Sequence, residues 1–195
     1  MYKYTTEDAQ AIRRAIQAGD LHRAIQLHRA IFPPADSKVI HETDEGDLQD
    51  FLYTPLPVFS FCSDEELREL RLRMATAICL CIRADRAIIP DAVLPWPHRM
   101  SPKAAAQNFF NAIATHRNVS YWLRKGLVQT AKILNSIDGP CSACLEAAQE
   151  YDILQLPSLP LHNCKNLNTI GCRCVASIGK LRDYHYLLNK GAGSK

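Results

Sequence analysis

Apolar positions at three- and four-residue steps run through the first two thirds of this chain and predict helices. Ile12, Ala15 and Ile16 share one face of a first helix, and Thr5 with Asp8 has the capping-box pattern that starts it. Gly19 ends that helix, and Asp20 caps a second whose face is Leu21, Ala24, Ile25, His28 and Ile31. Pro33-Pro34 stops it. Residues 33 to 62 lose the pattern and read as irregular, with the acidic run His41 to Asp47 as a solvated loop. Ser63-Asp64-Glu65-Glu66 opens the next helix, which carries Leu67, Leu70, Met74, Ala77, Ile78 and Cys81 to about Arg86. Arg68, Arg71 and Arg73 fall at other angles and are expected to face water. Cys79 and Cys81 are too far apart in angle on a helix to share an ion, so they read as small core residues.

A proline-rich loop spans Pro90 to Pro102. Ser101 then caps a helix with Pro102 at its first position, and Ala105, Phe109, Ala112 and Ile113 form its core face. Asn118 to Ser120 is read as a break. A further helix is predicted from about 120 to 137 through Leu123, Leu127, Ala131, Leu134 and Ile137. The expected fold class is therefore mainly α: a helical hairpin and bundle over 1–137, followed by a second domain over 138–195.

That second domain carries the chemistry. It reads Cys141-x-x-Cys144, then seventeen residues, then His162-x-Cys164, and finally Cys172-Arg173-Cys174. Thiolates and an imidazole at such spacings suit a tetrahedral zinc ion, because a tight turn aims both sulfurs of a C-x-x-C pair at one point. The expected ligands are Cys141, Cys144, Cys164 and Cys172. Cys174 is an alternative to Cys172, since residues two apart on an extended chain point the same way. His162 is an alternative to Cys164. The zinc is expected to be structural, stapling an irregular module, because four protein ligands leave no position for water or substrate. A short helix near 142–151 is expected to carry Cys144 on its first turn.

These same residues carry a resemblance. Asp138-Gly139-Pro140-Cys141-x-x-Cys144, Leu159-Pro160-Leu161-His162-x-Cys164 and Cys172-Arg173-Cys174 look like the C-terminal cysteine/histidine tail of phage head-morphogenesis (minor head) proteins. That tail has a C-x-x-C followed by a proline-preceded H-x-x-C-R-C. The likeness covers residues 138–174 only, and the segment Lys165 to Gly171 here separates the histidine from Cys-Arg-Cys. It implies a phage or mobile-element origin.

Composition narrows the rest. At 195 residues and 47% apolar content the chain can bury a core, and a net charge of +3 is too small to imply nucleic-acid binding by itself. No run approaches the ~20 apolar residues of a spanning helix. The N-terminus lacks a signal-type apolar run, so a cytoplasmic, reducing setting is expected, where clustered thiols hold metal rather than disulfides. Neither a Gly-rich phosphate loop nor a local nucleophile–base pair is found. The leading expectation is a non-enzymatic zinc-binding interaction or assembly protein. Its partner would be a protein, such as a virion component or a host defence complex; Tyr53, Phe59 and Trp96 on the proline-rich loops are candidate contact residues, although each ring taken singly reads better as covering its own core. The alternative is a zinc-dependent nucleic-acid-binding protein using Lys165, Arg173, Lys180 and Arg182.

Overall fold

The computed structural model describes residues 4–32, 43–80, 100–136 and 139–182. It is mainly helical, with helices α1 (Thr6–Gln17), α2 (Leu21–Ile31), α3 (Glu45–Tyr53), α4 (Asp64–Cys79), α5 (Pro102–Lys125) and α6 (Ser142–Ala147). A small sheet adds β1 (Thr130–Leu134), β2 (Glu150–Asp152) and β3 (Val175–Ile178). The chain divides into two compact units, Met1–Ala106 and Gln107–Lys195. The division therefore falls within α5 rather than at residue 137. Trp96, Pro33-Pro34, Cys81 and Asp138 lie outside the described residues.

The first unit contains α1 to α4. Thr5 and Asp8 exchange both capping-box hydrogen bonds, and Asp20 caps α2 through the Arg23 amide, as the sequence predicts. Ile12, Ile16, Ala24 and Ile25 are buried with Leu70, Met74 and Ala77. His28 is also buried, and its Nδ1 lies 2.7 Å from the Cys79 carbonyl oxygen. Cys79 is a core residue, as expected.

The acidic run is a correction. Asp44 caps α3 and Asp47 returns the capping bond, so these carboxylates satisfy orphan amides and face the positive end of the helix dipole. Leu48 and Phe51 then bury the helix on its apolar side. Phe59 is fully buried in a short 3₁₀ turn and so covers its own core, whereas Tyr53, the other candidate contact residue described, is 71% exposed.

Two of the α4 arginines also depart from expectation. Arg71 donates to the Phe51 and Thr54 carbonyls at 3.0 and 2.7 Å, satisfying the end of α3. Arg73 is buried and donates to Glu69 at 2.8 Å, and Glu69 receives both its other bonds from Arg13 on α1. Arg68 is exposed.

In the second unit α5 runs on to Lys125 without the expected break. Asn118 and Ser120 lower helix propensity by only a few tenths of a kcal/mol each, which is too little to stop a helix. Gly126 does stop it, at φ 65°, with its amide on the Trp122 carbonyl. The predicted helix over 120–137 is thereby overturned, since β1 follows. Along β1 Ala131 and Ile133 point inward while Lys132 and Leu134 face out, the period of a strand. β1 is central, pairing antiparallel with β2 and β3. Val128, Ala131 and Ile153 make its core with Val119, Trp122 and Leu156. The cysteine module is thus part of a sheet-bearing unit, not wholly irregular. Among the described residues no helix is long and apolar enough to cross a membrane.

Candidate metal centre

The C-x-x-C half of the site is made by a helix start. Cys141 is the N-cap of α6 and Cys144 its third residue, so the two stand one above the other on one face. Their sulfurs are 3.5 Å apart. Cys164 joins them from a tight turn in which its amide bonds the Leu161 carbonyl and its carbonyl takes the Leu167 amide. Its sulfur lies 3.8 Å from that of Cys141 and 3.6 Å from that of Cys144. Sulfurs held about 2.3 Å from one tetrahedral ion stand about 3.8 Å apart, so this triangle has the size of one tetrahedral face.

A second group adjoins the first. Cys144, Cys172 and Cys174 also bring their sulfurs within 4.8 Å of one another. Cys144 therefore belongs to both triads. Of the expected ligands, Cys141, Cys144 and Cys164 meet in one group, while Cys172 meets Cys144 in the other beside its expected alternative, Cys174. His162 is exposed and belongs to neither group. A cavity of about 10 Å³, room for about one water-sized sphere, opens where Cys144, Cys164 and Cys174 converge.

Residues that carry no metal chemistry hold this geometry. The Asn166 carbonyl accepts the amides of Thr169, Ile170 and Gly171 at 3.2, 3.1 and 2.9 Å, knotting the segment that precedes Cys172. Gly171 follows at φ 85°, tight against Gln107 and Asn108. Asn108 accepts the Cys172 amide at 2.8 Å and donates to the Leu167 carbonyl at 2.8 Å. One turn on, Asn111 donates to the carbonyls of Cys172 and Cys174 at 3.0 and 2.8 Å. Both asparagines are buried. Sequence reasoning missed them; the available signal was a polar residue adjoining the apolar face of a helix, repeated at three-residue spacing.

The electrostatics suit a cation. Burial opposes ionisation of Cys141, but hydrogen bonds from the Cys144 and Lys165 backbone outweigh it and bring its pKa down to about 7. Burial pushes the thiols of Cys144, Cys164 and Cys174 up. Crowded buried thiolates repel one another, and a bound cation reverses that penalty by keeping them deprotonated. Such all-sulfur donors are soft and match zinc, copper(I) or iron–sulfur chemistry rather than magnesium or calcium. The cysteine cluster can therefore hold a metal ion.

The basic residues expected to meet nucleic acid are less concentrated. Lys165 and Lys180 are exposed, and Arg173 and Arg182 are half-buried. Lys180 lies 3.9 Å and Lys132 3.7 Å from Glu150, which offsets their charge. Arg182 Nε lies 3.5 Å from the Val128 carbonyl.

No protein-family model, no curated protein and no solved structure matches this chain. What the fold and site define is thus a class: a mainly helical protein whose second unit bears a buried cysteine cluster able to hold a metal ion.

Proposed function

We propose that this chain is a non-enzymatic interaction or assembly protein whose second unit is fastened by one structural zinc ion. The ligands are Cys141, Cys144, Cys164 and Cys172, with Cys174 as the alternate for the fourth. The observation that carries the reading is the Cys141–Cys144–Cys164 triangle, with edges of 3.5, 3.8 and 3.6 Å. Cys144 relays this triangle to the pair that supplies the fourth ligand. Four thiolates complete a closed tetrahedral shell, which suits a structural ion and not a catalytic one.

Zinc at this place would join α6, the Cys164 turn and the segment entering β3. Its binding free energy then offsets the entropy of ordering the long connection between them. The partner is taken to be a protein, met in the reducing cytoplasm. The likeness of residues 138–174 to the phage minor-head tail supports an assembly partner of virion or host-defence type. Elemental analysis of reduced protein, followed by pull-down from the source cell with wild type and Cys144→Ser, tests both parts. One zinc per chain and partner capture lost in Cys144→Ser are expected. Absence of zinc would remove the first part, and capture only of nucleic acid would remove the second.

A further inference from the structure

The cluster holds one sulfur more than a tetrahedral zinc ion uses. Among the described residues five thiols fall into two triads, Cys141–Cys144–Cys164 and Cys144–Cys172–Cys174, that share a single member. Three-coordination by thiolate is the habit of closed-shell monovalent ions, copper(I) above all, and sulfur donors select that ion strongly. Two trigonal ions that share one bridging thiolate need five sulfurs, the number present. Thiolate sulfur has lone pairs enough to bridge. Cys144 is placed to do so, being 3.6 Å from Cys164 and 3.5 Å from Cys141 while also within reach of the second pair.

The surroundings fit that ion. Cys144, Cys164, Cys172 and Cys174 are at most 5% exposed and Cys141 is half-buried, so four of the five sulfurs are shielded from water and oxidants. Backbone amides supply what a negatively charged thiolate cluster needs, with Cys144 and Lys165 donating to Cys141 and Asn166 to Cys164. Two zinc ions would suit the place less well, since among the described residues each triad would leave its zinc one ligand short and His162 belongs to neither group.

We propose that this cluster is also a copper(I) site that takes two ions bridged by Cys144, in exchange for the single zinc. The inference rests on the zinc reading above. In the exchange two copper(I) ions enter, one zinc ion leaves, and the fifth thiol gives up its proton. No electron moves.

The test uses the full reduced chain, zinc-loaded, titrated anaerobically with acetonitrile-stabilised copper(I) against a chromophoric copper(I) chelator. A zinc indicator follows the released zinc. Two copper ions per chain, one zinc released for the pair, and X-ray absorption with sulfur neighbours and a short copper–copper vector are expected. Cys144→Ser should lose that vector, and the double variant Cys172→Ser/Cys174→Ser should bind a single copper ion. One zinc per chain with copper saturating at one ion would overturn the two-ion site and leave the zinc reading standing. Two zinc ions that copper fails to displace would also overturn it. A chain that takes up neither metal would remove both readings together.

Discussion

The side-chain oxygen of Asn108 accepts the backbone amide of Cys172 at 2.8 Å, and both residues are fully buried. A helix side chain thus replaces the strand partner that an extended segment would otherwise need. Asn111, one turn further along α5, takes the carbonyls on either side of Arg173. The Cys172–Cys174 segment is therefore aimed by side chains of α5.

Removing the clamp should loosen the site without removing a ligand. Asn111→Ala leaves two buried carbonyls without that donor and should cost about 1–3 kcal/mol. Zinc transfer to a chelator should become faster, while zinc stoichiometry at saturation stays unchanged. An unaltered transfer rate would mean that the thiols position themselves.

Gly171 should tolerate no side chain. A Cβ there would lie 2.7 Å from the Cβ and Cγ of Gln107, and the backbone is left-handed at φ 85°. Gly171→Ala should destabilise the second unit by about 2–5 kcal/mol, the sum of backbone strain and overpacking. Gly126→Ala, also at positive φ but with nothing within 4 Å of the added Cβ, should cost only about 1–2 kcal/mol. Chemical denaturation of the two variants separates the contributions.

Cysteine substitutions should divide sharply by position. Cys141→Ser and Cys144→Ser should abolish stoichiometric zinc and increase amide exchange across residues 139–180. Cys79→Ala, in the core of the first unit, should leave zinc content untouched and cost roughly 1 kcal/mol of stability. Zinc lost from Cys79→Ala, or retained in full by both other variants, would sink the ligand assignment.

The Glu69 carboxylate gives the first unit a pH signature. Burial alone would raise its pKa, but hydrogen bonds from Arg13 and Arg73 hold it below the ordinary 4.5. A carboxylate depressed in the folded state stabilises fully above its unfolded pKa, and that stabilisation is lost as pH falls through the folded value. Glu69→Gln should therefore cost about 1.5–3 kcal/mol at pH 7, since it removes the charged acceptor that both Arg13 and Arg73 meet. The difference from wild type should shrink steadily below about pH 4.5. Denaturant melts at pH 7 and in the acid range check the trend.

The sequence by itself determined those features whose cause is local. Capping boxes at Thr5 and Ser63, the Asp20 cap, the Ser101–Pro102 start and the C-x-x-C pair on a first helical turn each depend on residues at most four apart, so spacing alone specifies them. The periodic faces of the first, second and fourth helices follow for the same reason. Where one spacing serves two geometries, sequence fails: Leu127, Ala131 and Leu134 fit a helix face, yet Gly126 ends the helix and β2 and β3 pair with the next segment. The acidic run shows the same ambiguity, since Asp44 and Asp47 become helix caps only when Leu48 and Phe51 find a core to enter. Tertiary structure alone decided that Cys144 sits in both triads, that His162 stays outside them, and that Asn108 and Asn111 hold Cys172 and Cys174. Those relations join residues from about 20 to more than 60 positions apart, and nothing local encodes which distant groups the folded chain will bring within a hydrogen bond of one another.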